Sequence, residues 1–316
     1  MNAGATHEYQ SAPPLRIPFG DAEIVILSDG LVDPGSPSDL FTGISKEHIE
    51  ARLQRHFLPM DRTVLDENIV VFLSRGKKIL FETGMGVVQM LGPNAGRLQQ
   101  NLLHAGIDPN TIDAVVCSHA HLDQVGGICT DDGHPLFPNA QVFITESDFN
   151  FWTNEKLLSS PRRDMSMIAR KNLLPVRDRI VFFRDHQEFL PGVHAMFTPG
   201  HTAGHAAFTL TSGNHSLFLI GDLSHHHALL LELPKAHVVF DEDPQLAAET
   251  RVKIFDMLAE SRIALLGYHF PWPGLGHIAK EGDGFRYFPE LIRWNSPIQL
   301  SENTVGSSSI NRRDPK

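Results

Sequence analysis

Apolar positions along the chain fall in short runs, most of them rich in β-branched or aromatic residues and ended by Gly, Asp or Asn. Runs at 22–27, 68–74, 78–82, 114–117, 141–145, 180–183, 193–198, 206–211, 216–220 and 263–268 read as strands. Two pairs are separated by tight-turn residues, Arg75-Gly76 and Ser212-Gly213-Asn214, which predicts hairpins. Helical periodicity is rarer. It is expected over 94–105, closed by Gly106; over 146–157; and over 244–260, with Asp243 as N-cap and Pro244 at the first helical position. Residues 158–175 have the mixed charge of a surface helix or lid. Strands, a helix, more strands and helices again predict an α+β arrangement of two packed sheets with helices outside, without doubly wound alternation.

Residues 1–20 are rich in Pro, Ser and Ala, and 301–316 are polar without a period, so both read as extensions of one domain at 21–300. With 316 residues and 41% hydrophobic content there is ample material for one large core. The net charge is −10, with no Lys/Arg block beyond Arg312-Arg313, which argues against nucleic acid and anionic membranes as partners and for a small substrate. No apolar run approaches the ~20 residues that span a bilayer. Only Cys117 and Cys129 are present, in no paired motif, and the chain starts without a signal-peptide pattern, so a cytoplasmic protein is expected. Cys117 reads as a small core hydrophobe.

The composition stands out in its 18 histidines, and their placement carries the chemistry. Strand 114–117 is followed by His119-x-His121-x-Asp123; strand 193–198 by Pro199-Gly200-His201; strand 216–220 by Gly221-Asp222; strand 263–268 runs into His269. Four strand ends thus deliver imidazole or carboxylate, the donors that Zn²⁺ accepts at about 2.0 to 2.2 Å. In extended backbone residues i and i+2 project the same way, so His119 and His121 can grip one ion, and Asp222 has two oxygens with which to bridge two. No GxSxG, GxxxxGK[ST], HExxH or GxGxxG motif competes.

In this order and spacing, HxHxD at 119, PGH at 201, GD at 222 and the last histidine at 269, the sequence resembles the metallo-β-lactamase superfamily. The segments FPNAQVFITESDFNFW, TPGHTAGH and YHFPWPGLGHIAKEGDGFRYFP are similar to its methyl parathion hydrolase and lactonase-like branch. The resemblance implies an αββα sandwich of two mixed sheets, with His119, His121 and His201 on one metal, Asp123 and His269 on the other and Asp222 shared. It also implies one or two divalent metal ions, zinc being the first expectation, and a homodimer, since relatives are often dimers.

Two positions depart from the pattern. Glu82 stands where the superfamily usually has aspartate at a structural position. Gln124 replaces the histidine that usually follows the motif aspartate; its amide oxygen could ligate the second metal weakly, it could hydrogen-bond a bridging hydroxide, or the second site could be left too weak to fill. His225-His226-His227, three residues beyond Asp222, is the tempting substitute, but is expected to be a solvated loop at the site mouth. His205 is expected to be structural, and His104, His186 and His194 to be satisfied core residues; His277 stays open between pocket and structure. Candidate pocket residues are Phe151, Trp152, His226, Phe270 and Trp272.

The function expected is a metal-dependent hydrolase in which the metal lowers the pKa of water from 15.7 towards about 7. Asp123 would orient the nucleophile and Asp222 bridge the metals as the catalytic carboxylates, and the substrate would be a small apolar lactone, aryl ester or organophosphate. Alternatives are a mononuclear metallohydrolase of other chemistry, such as a dehalogenase or thioesterase, and a non-catalytic member of the fold.

Overall fold

Alternation along each strand decides the layering. In the computed structural model, which describes residues 12–292 and 300, neighbouring residues of one strand enter different layers, as strand geometry requires. Ile24, Val70, Ile79 and Val116 share a core with Ala195, Phe208, Leu217 and Leu266. Their neighbours Val25, Val71, Leu80 and Val115 pack instead with Leu98, Leu102, Trp152 and Leu173 from helices. On the far side Ala207, Phe218 and Leu265 meet Ile254, Phe255 and Leu258 of the helix Pro244–Ser261. Both faces of these strands are buried, which is why they read as near-continuous apolar runs.

The strands are β1 (Leu15–Phe19), β2 (Ala22–Gly35), β3 (Phe41–Thr42), β4 (Thr63–Ser74), β5 (Lys77–Phe81), β6 (Ala114–Val116), β7 (Gln141–Ile144), β8 (Ile180–Phe182), β9 (Glu188–Leu190), β10 (Val193–Phe197), β11 (Ala206–Ser212), β12 (His215–Leu219), β13 (His237–Val238), β14 (Ala264–Leu266), β15 (Leu275–Glu281) and β16 (Gly284–Pro289). One sheet has the order β1-β2-β4-β5-β6-β7-β8, the other β16-β15-β14-β12-β11-β10-β9, and β3 pairs with β13. Both large sheets are mixed: β5 to β8 run parallel, as do β12 and β14, and the other pairings are antiparallel. With helices outside both sheets, this is the αββα sandwich.

Strand direction places the site. Since β10, β11 and β12 alternate and β14 follows β12 in parallel, the C-terminal ends of β10, β12 and β14 lie along one edge of the second sheet. The loop after β6 in the first sheet is tied to that edge by the Ala206 amide, which donates to the Ser118 carbonyl at 3.0 Å.

Several expectations need correction. Part of the extension expected over 1–20 is β1, which pairs with β2 and buries Ile17 and Phe19 completely; its Pro18 and Arg16 masked the strand pattern. The proposed tail 301–316 lies outside the described residues. The helix expected over 94–105 is confined to Leu98–His104, and that over 146–157 ends at Trp152, followed by a 3-10 turn at Glu155–Ser159. The surface segment at 158–175 contains the helix Arg163–Leu173. Hairpin β15–β16 and helix Lys46–Arg55 were not anticipated, the latter because only Ile49 and Leu53 of its ten residues are buried.

Candidate metal centre

Three imidazoles converge first. After β6 the chain turns through His119 and His121, the latter at the N-cap of the short helix Leu122–Val125. Across the sheet edge, His201 follows Gly200, whose φ of +131° and approach to the Ala247 amide leave no room for a side chain. His201 Nε2 lies 3.1 Å from His119 Nε2 and 2.9 Å from His121 Nδ1, with Asp222 Oδ2 at 3.3 Å. All four residues are buried.

A second group shares the same carboxylate. Asp222, His225 and His269 bring one donor atom each to within 4.8 Å of one another. Asp222 Oδ2 is 3.3 Å from His225 Nε2 and 3.5 Å from His269 Nε2, and Asp123 Oδ2 is 3.3 Å from His269 Nε2. Gln124 lies behind them, fully buried, its Nε2 donating to Asp123 Oδ2 at 3.0 Å and facing Asp222 Oδ1 at 3.4 Å.

Outer partners fix the orientation of the histidine rings, as happens at metal sites. His201 Nδ1 donates to Asp241 Oδ1 at 3.0 Å and His269 Nδ1 to the Asp66 carbonyl at 3.1 Å, while His119 Nδ1 meets the Ser118 hydroxyl at 3.0 Å, so each Nε2 is turned to the centre. Asp241 is itself held by the buried Arg251, which also donates to the carbonyls of Leu223, Pro234 and Ala236. His205 accepts the Asp222 amide proton at 3.0 Å through Nε2 while Nδ1 faces Thr198; burial, with His201 adding, pushes its pKa down to about 3, so it stays neutral in that role. Asp148 receives the amides of Ala120 and Gly204, and Tyr268 donates to the Asp123 carbonyl at 2.6 Å. Glu82, with φ +64°, accepts from the Ser118 amide at 3.1 Å and so fixes the start of the motif loop.

The charge balance suits cations. Burial opposes ionisation of Asp222, but His269, His119 and His225 outweigh it and hold the carboxyl well below its usual range. Burial likewise works against a charged His201 and His269, yet Asp222 with Asp241 raises His201 to about 9, and Asp222 with Asp123 raises His269 to about 10. Imidazole nitrogens and carboxylate oxygens, with protons on His201 and His269 standing where a cation would, are a donor set that divalent zinc fits once those protons leave.

A 320 Å³ cavity opens onto this centre. Its floor is His121, Asp123, Asp222, His225 and His269, and its walls include Leu65, Leu91, Trp152, Met165, Val239 and Phe240. The Arg162–Glu242 ion pair, with Nε to Oε1 at 2.6 Å, also borders it. Of the candidate pocket residues only Trp152 lines this cavity, its ring 5.0 Å from that of His121. Phe151 packs behind Trp152, Phe270 is fully buried against Tyr287, and Trp272 packs on the intersheet core. His226 lines a separate 70 Å³ cleft and accepts the amides of Ala228 and Leu229.

Other histidines also fall differently from expectation. His225 and His226 are buried, so the run 225–227 is not a solvated loop. His104 and His186 are exposed and His194 half-buried, so none is a core residue. His277 faces the Arg262 carbonyl and Glu290, outside the cavity. Asp241, Asp148 and Arg251 had no local signal, each reaching the site from a distant element; Tyr268 adjoins His269, but its contact with the Asp123 carbonyl is made only in the fold.

The sequence matches the family model of the metallo-beta-lactamase superfamily over residues 62–266, a span that holds every ligand named except His269. Among solved structures, that of AidC, described as a dizinc quorum-quenching lactonase with a product N-hexanoyl-homoserine, superposes with a TM-score of 0.84 at 27% identity, covering 90% of this chain and 99% of that one. AbOPH, a hydrolase of the same superfamily, gives a TM-score of 0.81 at 25% identity, covering 90% and 100%. An N-acyl homoserine lactonase from Bacillus thuringiensis is 24% identical over 198 residues, 62% of this chain and 68% of its own. Sandwich, motif order and buried histidine–carboxylate centre agree with the sequence match: the chain belongs to the metallo-β-lactamase superfamily, as a metal-binding hydrolase related to the lactonases.

Proposed function

We propose that the protein is a two-metal lactonase whose substrate carries an apolar tail. The observation that carries this is the cavity: its floor is the shared carboxylate of both ligand groups, and its walls are aliphatic and aromatic side chains. His119, His121 and His201 would hold one metal and Asp123 and His269 the other, with Asp222 between them. The bound metals supply a strong nucleophile from water at neutral pH and Lewis acidity towards the carbonyl oxygen.

The protein residues do the remaining work. Asp123, fixed by Gln124 and Tyr268, orients the attacking water. The oxygen adds to the lactone carbonyl carbon, the ring C–O bond breaks, and a proton passes to the departing ring oxygen to give a hydroxy acid. The apolar walls take up the tail and exclude bulk water. Likeness to the lactonase AidC and to the Bacillus enzyme supports this choice over an organophosphate, which likeness to AbOPH keeps as the second reading. The test is turnover by zinc-loaded protein of N-acyl lactones of graded tail length, open-chain alkyl esters and aryl phosphotriesters. Lactone hydrolysis that a chelator abolishes and zinc restores is expected; hydrolysis of the phosphotriester alone would overturn it.

A further inference from the structure

We propose that His225 supplies the imidazole of the second metal position, and that Gln124, where the family motif usually places that imidazole, is a clamp on the two carboxylates. This rests on the two-metal hydrolase reading above.

The orientation of Gln124 argues first. Its Nε2 donates to Asp123 Oδ2 and faces Asp222 Oδ1. Turned over, the amide oxygen would press against two carboxylate oxygens, acceptor on acceptor, so the amide nitrogen must face the ligands. That nitrogen has no lone pair to offer a metal. The amide oxygen, on the other side, is buried without a partner among the described residues. Gln124 therefore spreads its N–H groups over Asp123 and Asp222 and restrains their oxygens.

His225 has the complementary geometry. Its Nε2 approaches the Asp222 oxygen that His269 Nε2 also approaches, at 3.3 and 3.5 Å. The two rings lie nearly parallel, 5.2 Å apart at 16°, and both turn Nε2 to that one oxygen. His225 is only 3% exposed, yet lies on the cavity floor. Its two neighbours are committed elsewhere: His226 accepts backbone amides through Nδ1, and His227 stacks on His226 and meets His56 edge-on. The second imidazole thus comes from the loop after β12, on the opposite sheet from the motif loop after β6.

Zinc content after loading and gel filtration, together with the visible absorption of the cobalt-loaded protein, tests this. The wild type is expected to keep about two equivalents, and His225→Ala about one, with the cobalt band roughly halved and the first group still filled. Gln124→Ala should keep both, released sooner on dilution. The double variant Gln124→His/His225→Ala should regain the lost equivalent, because imidazole returns at the motif position. Should His225→Ala not fold, as judged by far-ultraviolet circular dichroism, His225→Gln is read in the same way. Two equivalents retained in the His225 variants, or only one in the wild type, overturn the assignment. So does loss of an equivalent from Gln124→Ala alone. Lactone turnover is recorded separately: two equivalents that depend on His225 without lactone hydrolysis sink the lactonase reading alone, whereas hydrolysis with metal content indifferent to His225 sinks only this assignment.

Discussion

The first ligand group, around His201, and the second, around His269, share Asp222 but are supported differently. His119 and His201 each spend Nδ1 on a side-chain partner, and the partner of His201 is anchored by a buried arginine with three further backbone contacts. In the second group His269 leans on one backbone carbonyl, and His225 Nδ1 is buried with no partner among the described residues. Outer hydrogen bonds fix ring orientation and raise ligand basicity, and removing one typically costs 10–100-fold in affinity or activity. The first group is therefore the stronger and the second the more easily emptied, so a chelator titration followed by metal analysis should remove the two ions in separate steps.

The largest effect should come from breaking the stronger group. His201→Ala removes a ligand and leaves Asp241 without its imidazole, so lactone kcat/KM should fall by more than about 100-fold, the upper range for an outer partner, with zinc content dropping in parallel. Arg251→Met should act on stability: Asp241 keeps His201 but loses its buried guanidinium, and three buried carbonyls lose their donor, which is expected to cost about 3–5 kcal/mol, read from denaturant unfolding. Asp241→Asn keeps the shape and loses the charge. It should weaken the first metal by about 10–100-fold in competition with a chelator while the second is little changed, which would make the two steps converge.

Acidity touches both groups. In the metal-free protein His201 and His269 have pKa values raised to about 9 and about 10 from 6.5, so each group holds a proton at neutral pH. The sign follows: these pairs stabilise the metal-free fold fully below pH 6.5, and that contribution is lost as pH rises through 9 to 10. Metal binding needs neutral imidazole and must expel those protons, so affinity should rise with pH between 6.5 and 9. Calorimetry in buffers of different ionisation enthalpy should find proton release on loading; no release would mean that the groups are already neutral.

The smallest effect is at Gly221, next to the shared ligand. Its φ is +51° and an added Cβ would lie 2.7 Å from His205 Nε2, so Gly221→Ala should cost about 1–2 kcal/mol in unfolding free energy. Since His205 holds the Asp222 amide, kcat should fall more than KM rises.

Much of this centre is legible in the sequence. Strand runs ending in His or Asp marked His119, His121, Asp123, His201, Asp222 and His269, because the types and the i, i+2 spacing are local properties. The intersheet strands were legible because burial on both faces leaves unbroken apolar runs. Two strands towards the sheet margins were not: β1 carries Pro18, and β15, inside only β16, ends in Ala279-Lys280-Glu281, whose mixed polarity reads as loop. The pocket was largely illegible, since Leu65, Leu91, Met165 and Phe240 come from separate elements and none bears a chemical signal.

The chain by itself determined the donor types, their order and the strands that carry them, since each follows from a few consecutive residues. Only the tertiary structure decided which imidazole stands beside Asp222 and which way the Gln124 amide faces. Gln124 and His225 are far apart along the chain and arrive from opposite sheets. Whether either can reach the shared carboxylate depends on how the two sheet edges meet, and local sequence does not encode that.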